Sequence, residues 1–267
     1  MILATVTDEV LPGRSEACFP HIFETALKQG VSTFEIRMVE AKRYPIVEAD
    51  AWTRMRKFGE EYGINFTTVS PGLFKTGLSH DLMSIHRNQL ASMSMDLAET
   101  IDIDVLVTFG VMREATDGPD SFAKVVDILR DTAEKAAARG FTVQLENFPG
   151  SWADTADNCL ALLKAVDHPA FAYCWDVGNL YDADQEHFLE GYKKLKPFIR
   201  NVHLKDGQYI GDHMVWQHFG KGKTDVKGQI EALKADDYKG TLTVEAKCEP
   251  QMDEDFPTSL EYLRSLL

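Results

Sequence analysis

Thr142-Val143-Gln144-Leu145-Glu146-Asn147, Ala172-Tyr173-Cys174-Trp175-Asp176-Val177-Gly178-Asn179 and Asn201-Val202-His203-Leu204-Lys205-Asp206 share one plan. Each is a short run rich in apolar residues that leads into carboxylates and amides, the last with an imidazole and an amine besides. Longer segments of helical period separate the runs, the signature of repeated βα units around a parallel sheet. The same reading places the strands at Ile2–Val6, Thr33–Ile36, Asn65–Val69, Val105–Phe109, Thr142–Leu145, Ala172–Trp175, Asn201–Leu204 and Leu242–Val244. Eight strands in 267 residues match the usual size of a (β/α)8 TIM barrel, so the predicted fold is α/β with residues 1–267 as one barrel domain. A doubly wound open sheet is the competing architecture, but no G-x-G-x-x-G follows the first strand.

The spacing predicts helices over Asp81–Thr100 and Ser121–Arg139, the second stopped by Gly140, and a closing helix over Pro257–Leu267. Gly30, Gly63, Gly140 and Gly240 stand shortly before candidate strands and mark the αβ turns. Hydrophobic residues make up 44% and charged residues 26%, enough for a sizeable core and against disorder. No apolar run is long enough to cross a bilayer and the N-terminus lacks a signal-peptide pattern, so a cytoplasmic protein without a membrane partner is expected. Cys18, Cys159, Cys174 and Cys248 are scattered, with no C-x-x-C pair, and read as reduced thiols. A formal charge of −14 argues against nucleic acid as a partner.

Barrel enzymes carry their reactive groups at the C-terminal ends of the strands. Here those ends supply Glu146-Asn147, Asp176, His203 with Lys205-Asp206, and Glu245-Ala246-Lys247, while the second strand ends in Glu35-Ile36-Arg37. A carboxylate alone in an apolar strand costs several kcal/mol, so these acids need basic partners, backbone donors or a metal. Salt bridges with Lys205, Arg37 or Lys247 explain any one of them. Three carboxylates and an imidazole on four consecutive strands suit a divalent ion: Mn2+ first, with Mg2+, Co2+ or Zn2+ as alternatives.

These motifs, with Gly220-Lys221-Gly222-Lys223-Thr224-Asp225 and Thr243-Val244-Glu245, resemble the xylose isomerase-like barrel superfamily over nearly the whole chain. That group includes ketose 3-epimerases, hydroxypyruvate isomerase, inosose dehydratase and type IV apurinic endonucleases. The resemblance implies that Glu146, Asp176, His203 and Glu245 bind one metal ion, with Glu146 and Glu245 facing each other across the substrate as catalytic acid and base. It implies an isomerase or epimerase that acts on a keto-sugar or sugar acid by proton transfer through a metal-stabilised ene-diolate. No organic cofactor is expected. A metal-dependent dehydratase or decarboxylase shares the early chemistry and is the runner-up; a non-catalytic sugar-binding barrel is the third reading. An endonuclease would want further histidines and a basic groove. The partner expected is thus a small carbohydrate or sugar acid, and a homo-oligomer is left open.

Arg37, Lys205, Trp175, Asn179 and Lys221 are the candidate substrate contacts. Asn179 stands where many relatives carry histidine, and Lys221 where the glycine loop often carries an acid. For each there is a plainer role: Arg37 paired with Glu35 or Glu146, Trp175 simply packed, Lys221 and Lys223 solvated. Glu9, Trp152 and Trp216 are ambiguous in the same way. Asp206 is a candidate for orienting a neighbouring ligand. His213 and His218 fall in what reads as a long loop after the seventh strand and carry no confident role.

Overall fold

The computed structural model describes residues 1–11, 19–184, 187–246 and 251–267. Cys18, Lys247 and Cys248 lie outside the described residues. Eight parallel strands, β1 (Ile2–Val6), β2 (Thr33–Ile36), β3 (Asn65–Leu73), β4 (Val105–Phe109), β5 (Thr142–Glu146), β6 (Phe171–Asp176), β7 (Ile199–Leu204) and β8 (Thr241–Val244), pair in sequence order and close into a barrel. Closure is made where Ile2 pairs with Thr241 on one side of β1 and Thr5 with Phe34 on the other. Strands β5 and β6 extend beyond their apolar runs to include Glu146 and Asp176, because the ladder continues under the acids. Glu146 pairs with Cys174, and Asp176 with His203.

The helical layer covers the outside of this barrel. The helix Ser121–Ala137 buries Val125, Val126, Ile128, Leu129, Ala133 and Ala136, the stripe expected of one helical face packed on a sheet. Each large aliphatic among them contributes roughly 1.5–3 kcal/mol on burial. Gly140 follows with φ 81°, the left-handed conformation that lets the chain turn into β5.

The expected helix over 81–100 is helical from Leu82 to Glu99, but a π-turn over His86–Leu90 divides it. Its first residue, His86, accepts a hydrogen bond at Nδ1 from the backbone N–H of Phe74 at 2.8 Å, tying this helix to the end of β3. The closing helix begins at Met252, five residues before the expected Pro257. Asp253, Glu254 and Asp255 in its first turn complement the positive end of the helix dipole.

Two hairpins extend the barrel mouth. Met38–Val39 pairs with Lys42–Arg43 after β2, and Asp206–Ile210 pairs with His213–Gln217 after β7. The second replaces the long loop expected there. Its strands meet across Gly211-Asp212, with Gly211 at φ 62° and His213 exposed, remote from any ligand role. Among the described residues no helix is long and apolar enough to cross a membrane.

Candidate active site

Strand register brings the site together. Glu146 and Asp176 end neighbouring strands, His203 lies opposite both Asp176 and Thr243, and Glu245 follows β8 with its N–H bonded to Leu204 O at 3.0 Å. One ligand atom from each of Glu146, Asp176, His203 and Glu245 can be chosen so that all lie within 4.8 Å of one another, and all four residues are buried. His203 Nδ1 is buried without a hydrogen-bond partner, 3.4 Å from Glu245 Oε2 and 3.8 Å from Glu146 Oε1. An imidazole nitrogen left unmatched among three carboxylates fits a divalent cation, which would take that nitrogen and the acid oxygens together.

Behind the quartet, His203 Nε2 lies 3.0 Å from Glu35 Oε2. Glu35 also accepts from Thr68 Oγ1 at 2.8 Å, Asn201 Nδ2 at 2.7 Å and the Thr243 hydroxyl. Burial opposes its charge, but His203 and these donors outweigh burial and hold the Glu35 carboxyl down at about 2. Burial likewise works against protonated His203, yet the carboxylates of Glu35 and Glu146 lift it well above the usual histidine range. Cys174 is pushed up to about 12 by burial, so it is a neutral thiol.

Lys205 and Arg37 pin the acids from the sides. Lys205, itself buried, places Nζ 2.5 Å from both Asp176 Oδ2 and Glu245 Oε2. Arg37 spreads its guanidinium over Asp8, Glu9 and Glu245, with Nε 2.8 Å from Asp8 Oδ1. The two catalytic candidates consequently diverge. Burial raises the Glu146 carboxyl, with Glu245 adding to the rise, whereas Lys205 and Arg37 overcome burial and hold Glu245 well below the carboxylate range.

The profile of the xylose isomerase-like TIM barrel matches residues 23–266. The chain belongs to that family. A curated relative, the inosose dehydratase of Geobacillus thermodenitrificans (strain NG80-2), is 26% identical over 158 residues, which span 52% of this chain and 53% of that one. The match thus reaches only about half the length of the curated protein. Among solved structures, the probable 3-DHS dehydratase AsbF of Bacillus anthracis superposes with a TM-score of 0.82 at 18% identity, covering 99% of each chain. D-allulose 3-epimerase from Methylomonas sp., solved with D-allulose, gives 0.78 at 16% identity over 100% of this chain and 97% of its own. These structural likenesses bear on the xylose isomerase-like fold.

Of the candidate substrate contacts, Arg37, Lys205 and Asn179 are in the site. Asn179, at the start of the helix Val177–Asp184, donates from Nδ2 to Glu146 Oε1 at 3.3 Å and to Asn147 O at 3.0 Å, and its Oδ1 accepts from Lys205 Nζ at 3.3 Å. Gly178 allows this crowding: a Cβ there would stand 2.6 Å from Lys205 Cβ. Arg37 pairs with neither Glu35 nor Glu146, because the hydroxyls of Thr68 and Thr243, with Asn201 and His203, already surround Glu35.

Trp175 is not in the site. One residue from Asp176 on β6, it points to the opposite face and packs against Tyr192 and Phe188 of the outer helix Phe188–Leu195, ring centroids 5.0 and 6.2 Å away. Lys221 and Lys223 are exposed on the glycine loop. Asp206 does not brace a metal ligand; its carboxylate gathers the N–H groups of Gly220, Gly222 and Thr224 and so folds that loop. Trp152 lies under Arg113, 4.1 Å from Cζ, in an ordinary packing role.

Sequence reasoning missed Glu35 as the histidine's brace, and Arg43 and Lys75 at the barrel mouth. Glu35 had a legible signal, since its side chain shares the inward face of β2 with Arg37 two residues on.

Proposed function

We propose that this chain is a divalent-metal-dependent isomerase or epimerase that moves a proton beside the carbonyl of a keto-sugar or sugar acid. One observation carries the reading: Glu146, Asp176, His203 and Glu245 form one buried cluster with a ligand atom from each within 4.8 Å of the others, and His203 Nδ1 stands among their carboxylates without a hydrogen-bond partner. Two carboxyls of such a cluster, Glu146 and Glu245, are suited to giving and taking a proton across a ligand. When bound, a divalent ion supplies Lewis-acid polarisation of the carbonyl oxygen; Glu146, Asp176, His203 and Glu245 would hold it, with Mn2+ the proposed ion and Mg2+, Co2+ or Zn2+ compatible with the same donors.

The surrounding residues fit this role. Lys205 and Arg37 fix the position of Glu245 and keep it anionic, as a proton acceptor must be. Asn179 donates to Glu146 and holds its orientation. A dehydratase is the second reading, favoured by the similarity to inosose dehydratase; the same proton removal would then be followed by loss of a hydroxyl group. Turnover of keto-sugars and keto-acids by Mn2+-loaded protein in deuterated water separates the two. A product with one deuterium and otherwise unchanged mass supports the isomerase, a product lighter by water supports the dehydratase, and no turnover of either kind removes the leading proposal.

A further inference from the structure

Arg43 and Lys75 stand at the barrel mouth, and among the described residues neither is paired with a carboxylate. Arg43 ends the hairpin after β2, and its Nε and one terminal nitrogen are buried with no hydrogen-bond partner. Its guanidinium lies against Gly72, where a Cβ would come within 3.3–3.4 Å of three of its atoms. Lys75 follows on the same turn, its N–H bonded to Gly72 O at 3.1 Å, and Phe74 between them takes φ 65°, a conformation costly for a residue with a side chain. The Lys75 ammonium rests 3.9 Å and 4.0 Å from the ring centroids of Phe109 and Phe148, at the ends of β4 and β5.

These cations sit in the field of the site. Burial and the proximity of Arg37 push Arg43 down to about 10, with Asp8, Glu146 and Glu245 opposing the fall. Lys75, whose side chain reaches solvent, lies in the field of Glu146, Arg43, Arg37 and Lys205. Two neighbouring cations with no carboxylate paired to either repel each other, and a buried guanidinium without acceptors loses its hydration without compensation. A negatively charged ligand relieves both costs, and a planar fork beside an ammonium is suited to the oxygens of a carboxylate or phosphate.

We propose that Arg43 and Lys75 form an anion-binding subsite, so that the substrate is an acid, carrying a carboxylate or phosphate, rather than a neutral sugar. This deepens the proposed function and rests on it only for the reaction at the other end of the ligand.

The test compares binding of D-gluconate, D-sorbitol and D-sorbitol 6-phosphate to the full chain in excess Mg2+ at low ionic strength by calorimetry. At least one anion is expected to bind about tenfold or more tightly than sorbitol, the size of effect a charged hydrogen bond gives. A preference for gluconate identifies a carboxylate, and one for sorbitol 6-phosphate a phosphate. R43Q and K75Q should each remove most of the preference while leaving sorbitol binding within about twofold, and R43K should keep part of it. Lys75 is exposed, so K75Q remains informative if R43Q fails to fold. Equal binding of all three, binding of none, or a preference intact in K75Q and in every folded Arg43 variant overturns the subsite. Anion preference without deuterium incorporation would leave the subsite standing and remove the isomerase; incorporation without anion preference would do the reverse.

Discussion

The imidazole of His203 is held from behind by Glu35, Nε2 to Oε2 at 3.0 Å, which leaves Nδ1 facing Glu146 and Glu245. This geometry fixes which nitrogen is offered to a metal and makes it more basic. Glu35→Gln should therefore weaken Mn2+ binding by roughly 10–100-fold, as losses of such supporting carboxylates do. Competition against a fluorescent chelator measures this; unchanged affinity would show that the ring needs no carboxylate behind it.

Metal loading should release protons. In the metal-free protein His203 is raised by Glu35 and Glu146 against the effect of burial, and Glu146 is raised by burial itself. A cation requires both groups deprotonated, so affinity should rise with pH and binding should expel about one to two protons near neutrality. Calorimetry in buffers of different ionisation enthalpy reads the number directly. Metal affinity flat from about pH 6 to about pH 8 would contradict the protonated His203 described here.

Lys205 sits between two buried carboxylates, 2.5 Å from each. Lys205→Met removes their common cation, and breaking a buried pair from one side costs about 3–5 kcal/mol. Metal-free K205M should lose stability of that order in urea, and Mn2+ should recover more of it than the metal adds to the wild-type protein, because the ion then supplies the missing positive charge. Equal metal stabilisation of both proteins would mean that Lys205 and the ion do not share these acids.

How far the sequence was legible follows from periodicity. The apolar runs of β5, β6 and β7 showed in the sequence that Glu146, Asp176 and His203 stand at or near strand ends, which is where the strands carry them. Alternation, applied strictly, excludes Trp175, which sits one residue from Asp176 and so cannot share its face. Arg43 and Lys75 were illegible for a different reason. Their positions depend on a hairpin and on the positive φ of Phe74, neither of which leaves a periodic trace. The hairpin after β7 had a signal in Gly211-Asp212, a turn pair between two short runs.

Trp175 tests this account of the β6 face. Fully buried against Tyr192 and Phe188, it should cost about 3–5 kcal/mol of stability when cut to alanine. Trp175→Phe should leave Mn2+ affinity and the substrate KM within about twofold, since the ring fills the layer between strand and helices. A KM change well beyond this with unaltered stability would return Trp175 to the binding site.

The glycine loop offers the converse case, where a backbone rather than a side chain is held in place. Asp206 accepts from Gly220 N at 2.8 Å, Gly222 N at 3.0 Å, Thr224 N at 3.3 Å and Thr224 Oγ1 at 2.9 Å, while Lys221 between them is exposed. Asp206→Asn exchanges a charged acceptor for a neutral one that also carries donors facing donors, a loss of about 1–3 kcal/mol. The amides of Gly220, Gly222 and Thr224 should then exchange with deuterium faster than those of the barrel strands. Lys221→Ala should leave the same amides protected and kcat/KM within about twofold, because its charge is already solvated. If K221A instead lowers kcat/KM tenfold with the amides still protected, the lysine reaches the ligand during turnover, and the loop moves over the barrel mouth to bring it there.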